Sequence, residues 1–238
     1  LQQSVTLGVG QFCTCPGMVV GLAGASLDDF IVRMKELTAA AAPATMLHPG
    51  ILRSYEEGLE RLASIEGIET QRSRMAAEAT RTQATPAVFV ASVNNLLANK
   101  EISEEVFGPS TVIVKCRLRE EMLQVARGLE GHLTATIHGT AEELGEYQDL
   151  IDLLQTKVGR LVFNGFPTGV EVCAAMQHGG PYPATTDARS TSVGTAAIKR
   201  FARPICFQNF PQDALPPELQ DRNPRGVWRV VDNQVTRE

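Results

Sequence analysis

Features that mark several other protein classes are missing from this 238-residue sequence. No run of apolar residues reaches the ~18 that a transmembrane helix needs, and no basic-plus-apolar leader pattern opens it. Positive charge is not in excess, since 22 Lys and Arg stand against 27 Asp and Glu, a formal net charge of −5. These absences argue against a membrane protein and against a nucleic-acid-binding surface. We therefore expect a cytoplasmic protein without membrane or nucleic-acid partners.

A metal-ligand pattern is also missing. Cys13 and Cys15 form a close pair, but no second close pair of Cys or His completes the four ligands of a structural zinc site. We therefore expect no metal. The five cysteines are an odd number, which in a chain of this size is typical of reduced thiols in the cytosol.

The first informative segment is Gly8–Gly17, which sets Cys13 among glycines. It follows an apolar run, and the pattern over Ser4–Val9 predicts a strand that leads into a tight turn. Backbone N–H groups on such a turn can stabilise an oxyanion, and a thiolate is a strong nucleophile once its pKa is lowered. The alternative is a small buried cysteine at a strand end, as most intracellular cysteines are. The spacing alone leaves both interpretations open.

Alternating strand and helix patterns predict an α/β fold. Apolar residues at three- and four-residue steps predict one helix over 27–40 and a second from Pro49 to near Gly67. We read residues 68–85 as a loop or edge segment, Ala87–Ala91 as a strand and Val93–Asn99 as a connection. The remaining pattern is strand Thr111–Cys116, helix Arg119–Gly128, strand Leu133–Ile137, a helix capped by Thr140 that runs to Leu154, and strand Val158–Asn164.

This strand–helix order is the signature of a parallel sheet with helices on its faces, so we predict a three-layer α/β/α domain with a mostly parallel sheet. Functional loops of such sheets collect at the carboxyl ends of the strands. Prolines become frequent from residue 204 onward, which predicts an arm. We therefore divide the chain into a thiol-bearing domain, 1–203, and a C-terminal arm, 204–238. A strand over Gly226–Val231 would pair with another subunit or pack back.

A second candidate site residue is His178, in a segment with two glycines and two prolines, Gln177–Ala184. Such a segment forms a rigid, irregular loop, unlike a phosphate-binding loop, which opens directly into a helix. His178 is a candidate base or substrate anchor near the thiol. The alternative is a loop histidine hydrogen-bonded to the backbone.

Two short motifs together resemble the aldehyde dehydrogenase superfamily. Gly10–Thr14 is similar to its active-site cysteine segment, and Glu104–Pro109 is similar to its Glu-[Ile/Val]-Phe-Gly-Pro motif, in the same order. The resemblance implies that Cys13 attacks an aldehyde carbonyl. It implies that Glu105 binds the ribose of NAD or NADP and that Phe107 packs by the nicotinamide. It gives Cys15 no role.

Later segments resemble one branch of that superfamily, the α-ketoglutaric semialdehyde (2,5-dioxopentanoate) dehydrogenases. The similarity lies in Asn164–Cys173, His178–Asp187, Thr191–Gly194 and Arg203–Asn209. The NADP-dependent fatty aldehyde dehydrogenases share a similar loop histidine and are the competing branch. The resemblance implies oxidation of a semialdehyde through a thiohemiacetal and a thioester on Cys13. A carboxylate-bearing substrate would find a partner in Arg189 or Arg203, and for each the alternative is a structural arginine.

The resemblance also implies what this sequence does not contain. No Gly-x-Gly-x-x-Gly turn follows a strand, so we expect the dinucleotide-binding domain to be absent, together with the family's upstream general-base glutamate and oxyanion asparagine. We therefore expect the isolated chain to be inactive. For the whole enzyme we expect a small-molecule aldehyde as substrate and a homo-oligomeric assembly. Two other functions stay open: a non-catalytic interaction module, and a Cys–His acyl-transfer enzyme that uses Cys13 and His178 alone.

Overall fold

The computed structural model describes the backbone of residues 1–238 and every side chain except that of Ala79. Two compact units are formed, Leu1–Arg200 and Phe201–Glu238. Within the described residues, every helix is too short or too polar to traverse a bilayer.

The first unit contains all the α-helices and most of the strands. The helices are α1 (Gln2–Thr6), α2 (Ala25–Ala40), α3 (Pro49–Ser64), α4 (Val93–Ala98), α5 (Arg119–Gly128), α6 (Ala141–Glu146) and α7 (Gln148–Gln155). The strands are β1 (Met18–Leu22), β2 (Ala44–Thr45), β3 (Glu69–Arg72), β4 (Gln83–Ala84), β5 (Ala87–Ser92), β6 (Ser110–Cys116), β7 (His132–Ile137) and β8 (Val158–Phe163).

The main sheet has the strand order β1-β6-β5-β3. Strands β1, β6 and β5 are parallel, and only the edge strand β3 is antiparallel, with Glu69 opposite Val90. Strands β7 and β8 form a separate parallel pair, and β2 pairs with β4 in a short antiparallel ladder. The predicted mostly parallel sheet is therefore confirmed.

Helices cover both faces of the main sheet because its strands alternate apolar residues between the two sides. On one face, Ile31 and Met34 of α2 pack in one cluster with alternate residues of the sheet, Val88, Val90 and Ile113. The opposite face packs against α3, α4 and α5, and its cluster includes Tyr55, Leu59, Leu62, Phe89, Leu96, Val112, Val114 and Val125. The result is the predicted α/β/α layering.

The segment before Cys13 is not the strand that its apolar pattern predicted. Helix α1 is followed by a 3-10 turn, Leu7–Gly10, in which Gly8, Val9 and Gly10 have φ values of 54°, 59° and 66°. Three consecutive left-handed residues reverse the chain, whereas a strand needs extended backbone throughout.

Two further predictions of secondary structure were wrong in detail. The segment Val93–Ala98 is a helix rather than a connection, begun by a capping box in which Ser92 and Asn95 each bond the other's backbone. The single helix expected up to Leu154 is two helices, because the backbone of Tyr147 leaves helical geometry between α6 and α7. The capping box of Thr140 with Glu143 is as predicted.

The second unit consists of loops and an antiparallel hairpin of β9 (Arg229–Val231) and β10 (Gln234–Thr236). Asp232 and Asn233 connect the two strands with φ values of 47° and 64°, which is typical of a two-residue hairpin turn. The strand predicted at Gly226–Val231 therefore pairs within the chain.

Candidate active site

The thiol of Cys13 and the ring of His178 lie together. The Sγ atom is 3.2 Å from Nε2, although the two residues are 165 positions apart. Cys13 is exposed, on the turn between the Leu7–Gly10 reversal and β1. Among the described hydrogen bonds, none uses the N–H of Cys13, so this donor can meet an oxyanion that forms beside the sulfur.

The turn before Cys13 is built by close backbone contact. A Cβ atom on Gly10 would lie 2.2 Å from the carbonyl carbon of Gly108, so only glycine fits. Between two glycines, Val9 holds a left-handed φ of 59°, which is strained for a β-branched residue. Non-glycine residues in this region persist where the surrounding structure imposes the conformation, often at functional sites. Here that structure is the Gly108–Pro109 segment.

The loop that carries Glu105 and Phe107 is fastened to α3. A Cβ atom on Gly58 would lie 2.8 Å from the side chain of Val106, and one on Gly108 would lie 2.3 Å from the ring of Tyr55. Since Val106 and Gly108 face the helix, the alternate side chains of Glu105 and Phe107 are exposed. Because Gly10 is in contact with Gly108, the cysteine segment and the Glu105 loop lie side by side, and the loop exposes a carboxylate and an aromatic ring to solvent.

Tyr55 stabilises this loop from the protein interior. Its side chain is only 1% exposed, and its hydroxyl donates to the carbonyl oxygens of Thr85 at 2.8 Å and Pro109 at 3.3 Å. Burial is the main cause that raises the pKa of Tyr55 well above its usual range, so the hydroxyl stays protonated and remains a donor.

His178 is held by its own loop through the backbone. Its N–H donates to Oγ1 of Thr191 at 2.8 Å, and its carbonyl oxygen accepts from the N–H of Ser192 at 3.0 Å. The side chain is 9% exposed, and in the part of the chain that the structure describes Nδ1 has no partner. Burial, with a smaller contribution from the positive charge of Arg160, lowers the pKa of His178. A neutral ring can accept a proton from the facing thiol.

The second cysteine of the turn has a different environment. The Sγ atom of Cys15 is 3.7 Å from the carbonyl oxygen of Val5 and 3.9 Å from that of Gly108. Burial, and to a smaller extent the carboxylate of Glu105, raises the pKa of Cys15 to about 11. Cys15 is therefore a thiol at neutral pH, one that packs between α1 and the Glu105 loop rather than a nucleophile.

The site lies at the amino ends of the parallel strands, not at the carboxyl ends where we expected functional loops. Cys13 precedes β1 and Glu105 precedes β6. The His178 loop crosses the amino ends of β7 and β8, where a Cβ atom on Gly159 would lie 2.1 Å from the carbonyl oxygen of Gly179. The expectation fails because these loops enter strands rather than leave them.

Other sequence candidates have local partners. Asn164 at the carboxyl end of β8 exchanges two hydrogen bonds with the backbone of Gly139, through Oδ1 at 3.0 Å and Nδ2 at 2.8 Å. Arg189 forms an ion pair with Asp187 at 3.0 Å and projects into solvent. Arg203 is exposed in the second unit. None of these contacts involves Cys13.

Sequence reasoning missed the residues that support the site. Gly58 gave a usable signal, because a glycine inside a helix costs about 1 kcal/mol and often marks a close approach. Tyr55, Thr191 and Arg160 gave none, since a single polar residue does not reveal which group it will bond in the fold. Arg160 on β8 donates to the carbonyl oxygens of Pro167 at 2.7 Å and Gly169 at 3.0 Å.

Comparison with solved structures identifies the class of fold. The NAD+ complex of an aldehyde dehydrogenase from Bacillus cereus superimposes with a TM-score of 0.67 and 16% identity, covering 84% of this chain and 40% of that one. At this identity the likeness concerns the fold, which is that of aldehyde dehydrogenases. No family model matches the chain.

Sequence comparison gives more specific relatives. The chain is 43% identical over 234 residues to the α-ketoglutaric semialdehyde dehydrogenase of Acinetobacter baylyi and 45% identical over 232 residues to α-ketoglutaric semialdehyde dehydrogenase 2 of Azospirillum brasilense. Each match covers 98% of this chain and 44% of the relative. The chain is thus related, over nearly its whole length, to part of an aldehyde dehydrogenase, and it spans less than half the length of these relatives.

Proposed function

We propose that this chain carries the thiol-bearing part of an NAD(P)-dependent aldehyde dehydrogenase that oxidises 2,5-dioxopentanoate to 2-oxoglutarate. The observation that carries the proposal is the distance of 3.2 Å between Sγ of Cys13 and Nε2 of His178, on a turn in contact with the Glu105 loop. The substrate is inferred from the relatives, which are named for α-ketoglutaric semialdehyde.

The first step is carried out by Cys13. Its proton passes to Nε2 of neutral His178, and the thiolate attacks the aldehyde carbon to form a C–S bond. The electron pair of the carbonyl moves to oxygen, where the N–H of Cys13 is available to stabilise the oxyanion of the thiohemiacetal. At the end of the reaction, water hydrolyses the thioester, the C–S bond breaks and the sulfur leaves as thiolate.

The residues around Cys13 fit a nicotinamide dinucleotide. Glu105 offers an exposed carboxylate that can accept hydrogen bonds from ribose hydroxyls, and Phe107 offers an exposed ring against which a planar group can pack. The bound dinucleotide would supply the hydride acceptor that converts the thiohemiacetal to a thioester. Glu105 and Phe107 can orient it because Val106 and Gly108 anchor their loop to α3.

Protection of the thiol tests this proposal without the cofactor. The chain is treated with iodoacetamide, and modification of Cys13 is followed by mass spectrometry in the presence of 2,5-dioxopentanoate. We expect the semialdehyde to slow alkylation by forming the thiohemiacetal, and 2-oxoglutarate, which has no aldehyde, to give no protection. Protection by decanal but not by the semialdehyde would favour a fatty aldehyde dehydrogenase. Protection by neither aldehyde would contradict the proposal.

The same distance favours a second function, acyl transfer by Cys13 and His178 alone, since that chemistry requires the two side chains within hydrogen-bond reach. Against it, Nδ1 of His178 has no partner among the described residues, so no third group orients the ring. Hydrolysis of p-nitrophenyl acetate by the chain, lost in Cys13→Ser, is the observation that this function requires.

We further propose that the isolated chain does not turn over and that the segment 204–238 mediates self-association. Val230 and Val235 of the hairpin and Trp228, which directly precedes it, are exposed by 66–71% of their surface, an apolar face suited to a second copy. Steady-state NADPH formation by the purified chain would overturn the first point. For the second, a chain whose sedimentation coefficient is unchanged by Trp228→Ser and independent of concentration would oppose self-association.

A further inference from the structure

The thiol and the histidine of the candidate site are carried by two different sheets of the first unit. The cysteine turn leads into β1 of the main sheet, and the backbone contact of Gly10 with Gly108 fixes it to the loop before β6. The histidine loop lies against the separate β7–β8 pair, where Gly159 is in close contact with the backbone of Gly179. The distance between thiol and ring therefore depends on how these two parts are held together.

Only two of the described hydrogen bonds join the chain before β1 to the loops that follow β8 in the same unit. One is the reacting pair itself, between Sγ of Cys13 and Nε2 of His178. The other joins the hydroxyl of Ser4, on α1, to the hydroxyl of Thr168. Among the described hydrogen bonds, the second is thus the one that connects these two segments without belonging to the reacting pair.

Ser4 is linked to the cysteine turn from within its own segment. It is buried on α1, and the carbonyl oxygen of the next residue, Val5, lies 3.7 Å from Sγ of Cys15. The same sulfur lies 3.9 Å from the carbonyl oxygen of Gly108. A displacement of Ser4 would therefore be transmitted to the turn that carries the thiol.

Thr168 is fixed to β8 through its two neighbours. The guanidinium of Arg160, a residue of β8, donates to the carbonyl oxygen of Pro167 at 2.7 Å and to that of Gly169 at 3.0 Å. The planar fork of an arginine holds two acceptors in one orientation with little loss of freedom for each bond. The hydroxyl of Thr168 therefore meets that of Ser4 from a fixed backbone.

We propose that Ser4 and Thr168 are positioning residues that set the distance between the Cys13 thiol and the His178 ring. The inference rests on the proposed function, in which the ring accepts the proton of the thiol. In the described hydrogen bonds, neither hydroxyl reaches the thiol or the ring, so both act only by position.

A hydrogen bond is suited to this role because it is directional. Apolar side chains of α5 pack in the clusters of both sheets, but such packing has no preferred direction. A hydrogen bond allows only a narrow range of distance and angle. Proton transfer needs the same precision, and a misplacement of about 1 Å can cost a large part of a rate.

The first measurement is the rate at which iodoacetamide alkylates Cys13 in the full 238-residue chain at pH 7.5. Thr168→Val removes one hydroxyl and keeps the branched shape of the side chain, and Ser4→Ala removes its partner. We expect each change to slow alkylation about 5-fold, and both together to slow it no further, because they break the same contact. Thr168→Ser keeps the hydroxyl and should react at the parent rate.

A double-mutant cycle with His178→Asn shows whether the contact acts through the histidine. In that background Thr168→Val should leave the alkylation rate of Cys13 unchanged, because no ring is left to misplace. An equal slowing with and without the histidine would mean that the contact only stabilises the fold, and it would overturn the inference. An unchanged rate in folded Thr168→Val, with the histidine present, would overturn it as well.

The second measurement follows the ring without relying on proton transfer. After histidine labelling, the NMR shifts of the His178 ring nitrogens are compared with and without Cys13→Ala, because a ring that contacts sulfur responds to its removal. We expect this response to shrink in Thr168→Val. A response preserved in full would overturn the inference, even where the histidine accepts the proton. An alkylation rate unaffected by His178→Asn would instead refute the proposed proton transfer, and the ring shifts would still decide the positioning role.

Two checks guard against general effects of substitution. Thr70→Val, at an exposed threonine of the edge strand β3, is the matched control and should change neither the alkylation rate nor the ring shifts. If Thr168→Val does not fold, Ser4→Ala tests the same contact from the other side, because alanine is well accommodated in a helix. An unchanged alkylation rate and unchanged ring shifts in Ser4→Ala would then overturn the inference.

Discussion

Gly10 and Gly108 are in direct backbone contact, so that a Cβ atom on Gly10 would lie 2.2 Å from both the carbonyl carbon and oxygen of Gly108. This contact joins the cysteine turn to the loop of Glu105 and Phe107. The position of the Cys13 thiol is therefore coupled to that of the exposed Glu105 carboxylate through the main chain, which is stiffer than a side chain.

The first prediction concerns this contact. Gly10→Ala combines a clash with main-chain atoms and a left-handed φ of 66°. We expect it to lower the free energy of unfolding by about 2–4 kcal/mol, because neither neighbour can move aside. Urea unfolding followed by circular dichroism measures the change. Gly17→Ala, in the same turn but with open space around it, should change stability by less than about 0.5 kcal/mol. Equal effects of both substitutions would contradict the prediction.

The second prediction concerns the support of the Glu105 loop. Tyr55→Phe removes the hydroxyl that donates to Thr85 and Pro109 and leaves both carbonyl groups without this donor. We expect a loss of about 1–2 kcal/mol in the free energy of unfolding, measured by urea titration. Tyr182→Phe, at an exposed tyrosine, is the matched control and should have little effect. An unchanged free energy of unfolding in Tyr55→Phe would contradict the prediction and would mean that water replaces the hydroxyl.

The third prediction concerns the thiol itself. His178→Asn removes the ring that faces Sγ of Cys13 at 3.2 Å and keeps a polar group of similar size. We expect alkylation of Cys13 by iodoacetamide at pH 7.5 to slow by about 10-fold or more, because the proton acceptor is lost. His48→Asn, at the start of α3, is a control histidine outside the site. An unchanged rate in His178→Asn would oppose a proton-accepting role.

The sequence predicted the layers of the fold but not the conformation of the turn that carries the thiol. Periodic apolar residues located α2, α3 and α5 because helix packing needs a regular apolar face. The apolar run at Ser4–Val9 gave a wrong prediction of a strand, because the segment is helical up to Thr6 and Val9 adopts a left-handed backbone. A valine takes that conformation only under tertiary contact, and no local pattern can announce it.

The candidate site, like the fold, was predicted only in part from the sequence. The motif residues Cys13, Glu105 and Phe107 were found through a resemblance, and His178 was placed near the thiol as one of two open interpretations. Their supports, Tyr55 and Arg160, donate hydrogen bonds to carbonyl oxygens of the backbone. A carbonyl acceptor has no sequence signature, because every residue carries one. Only the folded chain identifies which is used.

The fourth prediction concerns the half-buried thiol of Cys15 and the buried thiol of Cys116. Burial raises the pKa of Cys15, and likewise that of Cys116, to about 11. Only about one molecule in 1,000 carries either thiolate at pH 8, since each pH unit below the pKa reduces the fraction tenfold. We expect both thiols to react slowly with iodoacetamide at pH 8 and their rates to rise toward pH 11, as peptide mapping with time would show. Rapid labelling of Cys15 at pH 8 would contradict the structure of the turn.

The last prediction concerns stability between pH 5 and 7. Burial lowers the pKa of His178, and it lowers that of His132 as well. An unfolded histidine titrates near about 6.5, so below that pH the unfolded chain binds protons that the folded chain does not. The free energy of unfolding should therefore be highest above about pH 7, where both histidines are neutral in the folded and the unfolded chain, and it should decrease as pH falls through this range. Urea midpoints at pH 5, 6 and 7 measure the slope. His178→Asn should make it shallower while His132 and all other groups contribute as before, and an unchanged slope in that variant would show that the buried ring of His178 is not its source.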